Sequence, residues 1–221
     1  FGLKPSFGRV PNSPVANGDQ SSHIGPMTRT VTDSALMLQV MSGPHHSDHY
    51  SLESEPLKYS MCLSGDLKGL RIAYSPDLGH ARVDEQVATT VKKAVDEITS
   101  LGADVEEVTP PWGNDGPELI RFFWSAHELR FRPLLDKWAD QMDPGLVACI
   151  QSAGEPSAED YLKMRQRKLD YIAAIHNWFE DWDLLITPSV SVPAFPAERL
   201  QPEDWPSHVW DWVSWAEFSY P

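Results

Sequence analysis

Between Asp84 and Leu101 the apolar residues fall at Val87, Val91, Ala94, Val95, Ile98 and Leu101. That spacing is one face of an α-helix. Asp84 suits its N-cap and Gly102 its C′ position. On either side the period changes. Leu70, Ile72 and Tyr74 alternate within Gly69–Ser75, which reads as a strand. Ala103–Thr109 reads as a second strand. Strand, helix and strand within about 40 residues make a βαβ unit, with parallel strands and a right-handed crossover.

The remaining pattern extends this scheme. A helix is expected from Pro117 to about Lys137, carrying Leu119, Ile120, Phe123, Trp124, Leu129 and Leu134. Ser157-Ala158-Glu159-Asp160 is a capping box that opens a helix to about Glu180, with Leu162, Leu169, Ile172, Ile175 and Phe179 apolar. Asp183–Pro188 has an unbroken apolar centre and predicts a third strand, buried on both faces as in a parallel sheet. Thr30–Asp33 forms another capping box. The helix after it, ended by Gly43-Pro44, is apolar nearly all round, so burial on most sides is expected. Residues 1–30 read as a short extended piece and a loop, and 44–66 as a polar loop. The fold class expected is α/β, a mostly parallel or mixed sheet covered by helices. With no repeat and no linker, residues 1–221 count as a single domain.

Composition narrows the function classes. The chain has 221 residues and a net charge of −14, which repels phosphate backbones and anionic lipid. Nucleic acid and membrane are therefore not expected partners. No apolar run approaches the roughly 20 residues of a membrane helix. Two distant cysteines, Cys62 and Cys149, fit reduced thiols in a cytoplasmic protein.

The expected strands end alike, in Ser75-Pro76-Asp77, Thr109-Pro110-Pro111 and Thr187-Pro188-Ser189. Parallel α/β sheets bind ligands outside the carboxyl ends of their strands, and hydroxyl-plus-Pro is also a common way to turn. Thr187-Pro188 is the first choice among the three for a site wall. A G-x-S-x-G elbow, a P-loop, a G-x-G-x-x-G fingerprint and H-E-x-x-H are all missing from the sequence, and no cofactor or metal is expected. His45-His46-Ser47-Asp48-His49 is the one metal-like cluster, weighed against a solvated loop because adjacent loop residues rarely converge on one ion. His127 and His176 fall in helices. Glu106-Glu107 and Glu180-Asp181 read as exposed charges. The stretch Trp205–Trp215 holds four of the nine Trp. It can line an apolar substrate channel or pack against sheet. The chain ends in an apolar, strand-like Phe218-Ser219-Tyr220-Pro221.

Several stretches together resemble the amidase signature family. They are Phe1–Val10 (FGLKPSFGRV), His23–Asp33 (HIGPMTRTVTD), Leu67–Ala73, Asp183–Pro188 and Trp215–Pro221. Their order spans the whole chain. The resemblance implies a later-middle piece of an amidase, with both termini cut. It implies amide hydrolysis of carbon–nitrogen bonds other than peptide bonds, through an acyl-enzyme. The family's nucleophilic Ser, its bridging Ser in a cis peptide, its Lys and its Gly-rich oxyanion loop would all precede Phe1. Catalytic residues within these 221 are thus none; Lys4 belongs to the segment after the nucleophile. The chain would be inert alone and would supply scaffold and pocket wall. The wall residues implied for a small-molecule amide substrate are Trp124, Thr187, Pro188 and Trp215. Arg29 and Asp33 would brace the loop and cap the helix. Other readings are an amidotransferase subunit that works on charged tRNA, a non-catalytic binding or scaffold domain, and a metal protein using His45, His46, Asp48 and His49. Exposed sheet edges and apolar surface would favour self-association as a homo-oligomer.

Overall fold

The computed structural model describes residues 1–15, 20–55 and 58–220. Two compact units divide the chain, Phe1–Asp66 and Leu67–Pro221.

In the first unit the chain start pairs with a later extended piece. Gly2 and Met27 form an antiparallel bridge, held by Leu3 N–H to Pro26 O at 3.0 Å and Thr28 N–H to Phe1 O at 2.9 Å. Helix α1 spans Val31–Met41, and the Thr30 hydroxyl accepts the Asp33 N–H at 3.1 Å. The expected burial on most sides does not occur. Ser34, Ala35 and Leu38 are buried, whereas Val31, Leu36, Met37 and Val40 are exposed. The helical turn Tyr59–Met61 and neighbouring irregular chain cover a single stripe of α1. A sheet or a second long helix would be needed to cover more.

In the second unit β1 (Arg71–Tyr74), α2 (Glu85–Ser100) and β2 (Asp104–Glu107) form the expected βαβ unit, and β3 (Leu184–Ile186) joins it. Both pairings are parallel, in the order β2-β1-β3, with Ile72 opposite Val105 on one side and Leu184 on the other. The Asp84 carboxylate caps α2 by accepting the Gln86 N–H at 2.8 Å. Val95 is buried on its inner face. The order corrects one expectation. β3 lies at the edge, so Leu184 is exposed and Leu185 and Ile186 are half-buried. Two-faced burial belongs to central β1, where Ile72, Ala73 and Tyr74 are all buried.

Further helices of this unit are α3 (Gly116–Glu128), α4 (Leu135–Trp138), α5 (Pro144–Ser152) and α6 (Ala158–Trp178). The helix expected to continue to Lys137 breaks at Glu128. A 3₁₀ stretch, Leu129–Leu134, contains Pro133, which cannot supply the next helical N–H. Helix α5 has no counterpart among the elements expected from the pattern. Asp143 caps it, accepting the Leu146 N–H at 3.0 Å, and it buries Cys149 and Ile150. The capping box of α6 forms in full between Ser157 and Asp160. Leu119 and Phe123 of α3 pack with Tyr171 of α6 as the core of these helices. Of the strand-like ending expected at Phe218–Pro221, Phe218 and Ser219 instead lie in a 3₁₀ turn, Glu217–Ser219, that follows a short helix, α7 (Val213–Ala216), and Pro221 lies outside the described residues.

Candidate functional site

The carboxyl ends of β1 and β3 are locked together. The Ser75 N–H donates to Ile186 O at 2.9 Å, and the Ser75 hydroxyl accepts the Leu78 N–H at 3.1 Å. Asp77 then tightens the turn, accepting Gly79 N–H on its side chain at 2.7 Å and His80 N–H on its carbonyl at 3.0 Å. After β3, the Thr187 hydroxyl donates to Pro188 O at 2.9 Å, and Pro188 is fully buried. Ser191 links two elements through its backbone. Its carbonyl accepts the Asp84 N–H at 2.8 Å, and its N–H donates to Trp215 O at 2.9 Å.

The tail thereby docks on the strand ends. It also docks on α3. Trp212 meets Trp124 edge-to-face, with ring centres 5.3 Å apart. The buried Asp211 carboxylate accepts Arg121 Nε–H at 2.7 Å and the Val213 N–H at 2.9 Å, and His208 Nδ1 lies 2.8 Å away. Trp215 faces elsewhere. Its indole N–H donates to Leu200 O at 3.0 Å and its ring lies edge-on to Phe195. Of the four expected wall residues, Thr187 and Pro188 share one strand end, Trp215 is tied to that loop, and Trp124 is reached through Trp212. An open groove of about 570 Å³ adjoins the Asp211 cluster, between Arg121, Phe122, Lys163, Met164, His208 and Trp210.

Sequence reasoning missed Arg121, His208, Asp211, His80 and Glu217. The one available signal was Asp211 itself, the sole acid between Trp205 and Trp215. His80 Nδ1 lies 3.1 Å from Leu78 O, which directs Nε2 to Glu217 Oε2 at 3.6 Å. Burial pushes the Glu217 carboxyl up, while His80 and Arg121 pull it the other way. A raised folded value means that this group's contribution to stability is complete below the unfolded carboxyl range, about 4.3. It is lost as pH rises through the folded value. Urea midpoints compared between pH of about 4 and 7 should therefore fall more for the wild type than for Glu217→Gln. Parallel curves would show that Glu217 does not couple to folding.

The His45–His49 stretch lies in the other unit. Both Asp48 oxygens accept backbone N–H groups, from Asn12 at 2.8 Å and Tyr50 at 2.9 Å. Those bonds hold its carboxyl below the usual range. Its task there is to pin the loop.

The model of the amidase family matches residues 1–221. The chain belongs to the amidase family. An acylamidase of Rhodococcus erythropolis is 32% identical over 230 residues, covering 100% of this chain and 47% of the relative. A glutamyl-tRNA(Gln) amidotransferase subunit of Lysinibacillus sphaericus is 30% identical over 220 residues, covering 88% and 45%. The crystal structure of a bacterial aryl acylamidase of the amidase signature enzymes superposes with a TM-score of 0.73 at 23% identity, over 86% of this chain and 41% of that one. This amidase-family chain thus spans about half the length of the curated relatives it matches. The α/β fold with its parallel sheet is the fold of those structures. Among the described residues no helix is long and apolar enough to cross a membrane.

Proposed function

We propose that this chain is the scaffold and part of the substrate-pocket wall of an amide-bond hydrolase. It would act on small amides, at carbon–nitrogen bonds other than peptide bonds, through an acyl-enzyme. The observation that carries this reading is the family match over every residue from 1 to 221, and the relative named an acylamidase supports the same reaction class. On this reading Trp124, 39% exposed, contacts substrate, and Thr187, Pro188 and Trp215 supply wall after β3. The nucleophilic Ser, the bridging Ser and the Lys lie outside these residues. A neutral Lys takes a proton from the bridging Ser, which activates the nucleophile, and backbone N–H groups hold the oxyanion. Two free cysteines, Cys62 and Cys149, support a cytoplasmic setting. Burial pushes the Cys149 thiol up to about 11, so it is no nucleophile near neutral pH.

Fluorophosphonate labelling of the full gene product, with the modified peptide mapped by mass spectrometry, tests the reading. The label is expected on a Ser outside residues 1–221, and Trp124→Ala is expected to raise KM severalfold. A full product that takes no label and cleaves no amide would leave a non-catalytic scaffold. The amidotransferase reading is carried by relatives named as glutamyl-tRNA(Gln) amidotransferase subunits, one of them 40% identical over 111 residues. The net charge of −14 opposes direct tRNA binding, and salt-sensitive tRNA binding by the full product would favour it.

A further inference from the structure

We propose that Asp211 is a positioning residue that sets the aromatic wall of the site, and with it the preference for amides bearing a flat aromatic group. The inference rests on the hydrolase reading above. Asp211 stands between two Trp, yet its side chain is only 2% exposed. A buried carboxylate persists only where donors surround it, and here Arg121 and the Val213 N–H supply them, with the His208 ring nitrogen alongside. Oδ2 faces Arg121 Nε at 2.7 Å and His208 Nδ1 at 2.8 Å. Oδ1 faces the Val213 N–H at 2.9 Å and Arg121 Nη2 at 3.4 Å.

These groups come from three places. Arg121 lies on α3, one helical turn before Trp124. His208 belongs to the incoming loop, and Val213 begins α7. One carboxylate therefore fixes the tail's position along α3 and the start of the helix after it. Trp212 sits between Asp211 and Val213, so its ring direction follows from both anchors. The result is the edge-to-face pair with Trp124, at 88° between planes. The Trp212 indole N–H donates to the Tyr220 hydroxyl. With Trp212 packed against it, Trp124 is held in one orientation, and so is the part of its ring that solvent reaches. A ring so held accepts another ring at no rotamer cost.

Asp211→Asn is the sharp test, because the amide has the same shape but cannot satisfy the cluster. Whichever way it flips, its NH₂ meets N–H donors. Coupled indoles give an exciton couplet in far-ultraviolet circular dichroism. Trp212→Phe should abolish the couplet of this pair. Asp211→Asn should abolish the same couplet, and should remove nothing more in the Trp212→Phe background. Should Asp211→Asn fail to fold, Arg121→Gln, at a partly exposed position, is expected to weaken the couplet in the same way. On the full gene product, Asp211→Asn should raise KM for an aryl amide about tenfold, the upper range of one aromatic contact. The rise for a short aliphatic amide should be smaller, and the fall in kcat smaller than the rise in KM. A couplet that survives in a folded Asp211→Asn or Arg121→Gln variant overturns the proposal, as does an equal KM rise for both amides. If the wild type cleaves neither amide, the hydrolase reading has failed, while the couplet still decides whether Asp211 positions the pair.

Discussion

Phe123→Ala is expected to lower the unfolding free energy of the Leu67–Pro221 unit by about 3–5 kcal/mol, the usual cost of removing a buried aromatic side chain. Phe123 is 1% exposed and sits one turn after Leu119 on α3, facing Tyr171 of α6. Tyr161 meets its ring edge-to-face at 5.7 Å, and Lys168 Nζ lies 4.7 Å from the ring centre. Truncation removes the ring from both contacts and leaves a void between two helices that cannot close without moving. Helix α3 also carries Arg121 and Trp124, so the loss reaches the site. Denaturant midpoints and slopes of the full chain give the value. A loss below about 1 kcal/mol would mean that α3 and α6 are not rigidly packed.

Gly8→Ala should cost about 3 kcal/mol in the Phe1–Asp66 unit. Gly8 has φ of 80°, a left-handed conformation that costs an L residue about 1–2 kcal/mol. A Cβ there would also strike the Tyr50 carbonyl. Relieving that contact means moving residues 50–52, and the 2.9 Å bond from Leu52 N–H to Gly8 O would go with them, for about another 1 kcal/mol. Gly65→Ala is the control. Its Cβ meets nothing within 4 Å, so a change within about 0.5 kcal/mol is expected. Native-state hydrogen exchange at Leu52 reads both variants. Protection at Leu52 unchanged in Gly8→Ala would show that Gly8 is dispensable for that turn.

These two positions show how unevenly the protein is written into its sequence. Helix α2 was legible to within one residue at each end, because a helical stripe, an Asp cap and a Gly stop all act within a few residues of one another. The α6 capping box was legible for the same reason, and the βαβ unit followed from the alternation of periods. Gly8 was legible as part of a family motif, but its cause, the carbonyl of Tyr50, lies 42 residues away and has no local sign.

Other features depended on which segments meet in space. The order β2-β1-β3 decided that Leu184 faces solvent and Ala73 does not, although β3 has the more apolar sequence. Helix α5 carries no strong stripe, and its burial comes from the elements around it. Arg121 and Asp211 are 90 residues apart, and His80 and Glu217 are also distant in the chain. A periodic pattern reports which face of an element is apolar. It carries no information on which polar groups end up opposite each other, because that is set by how the elements pack. The family and the α/β class could therefore be read from residues alone. The hub at Asp211 and the angle of Trp212 on Trp124 came only from folding the tail back across α3.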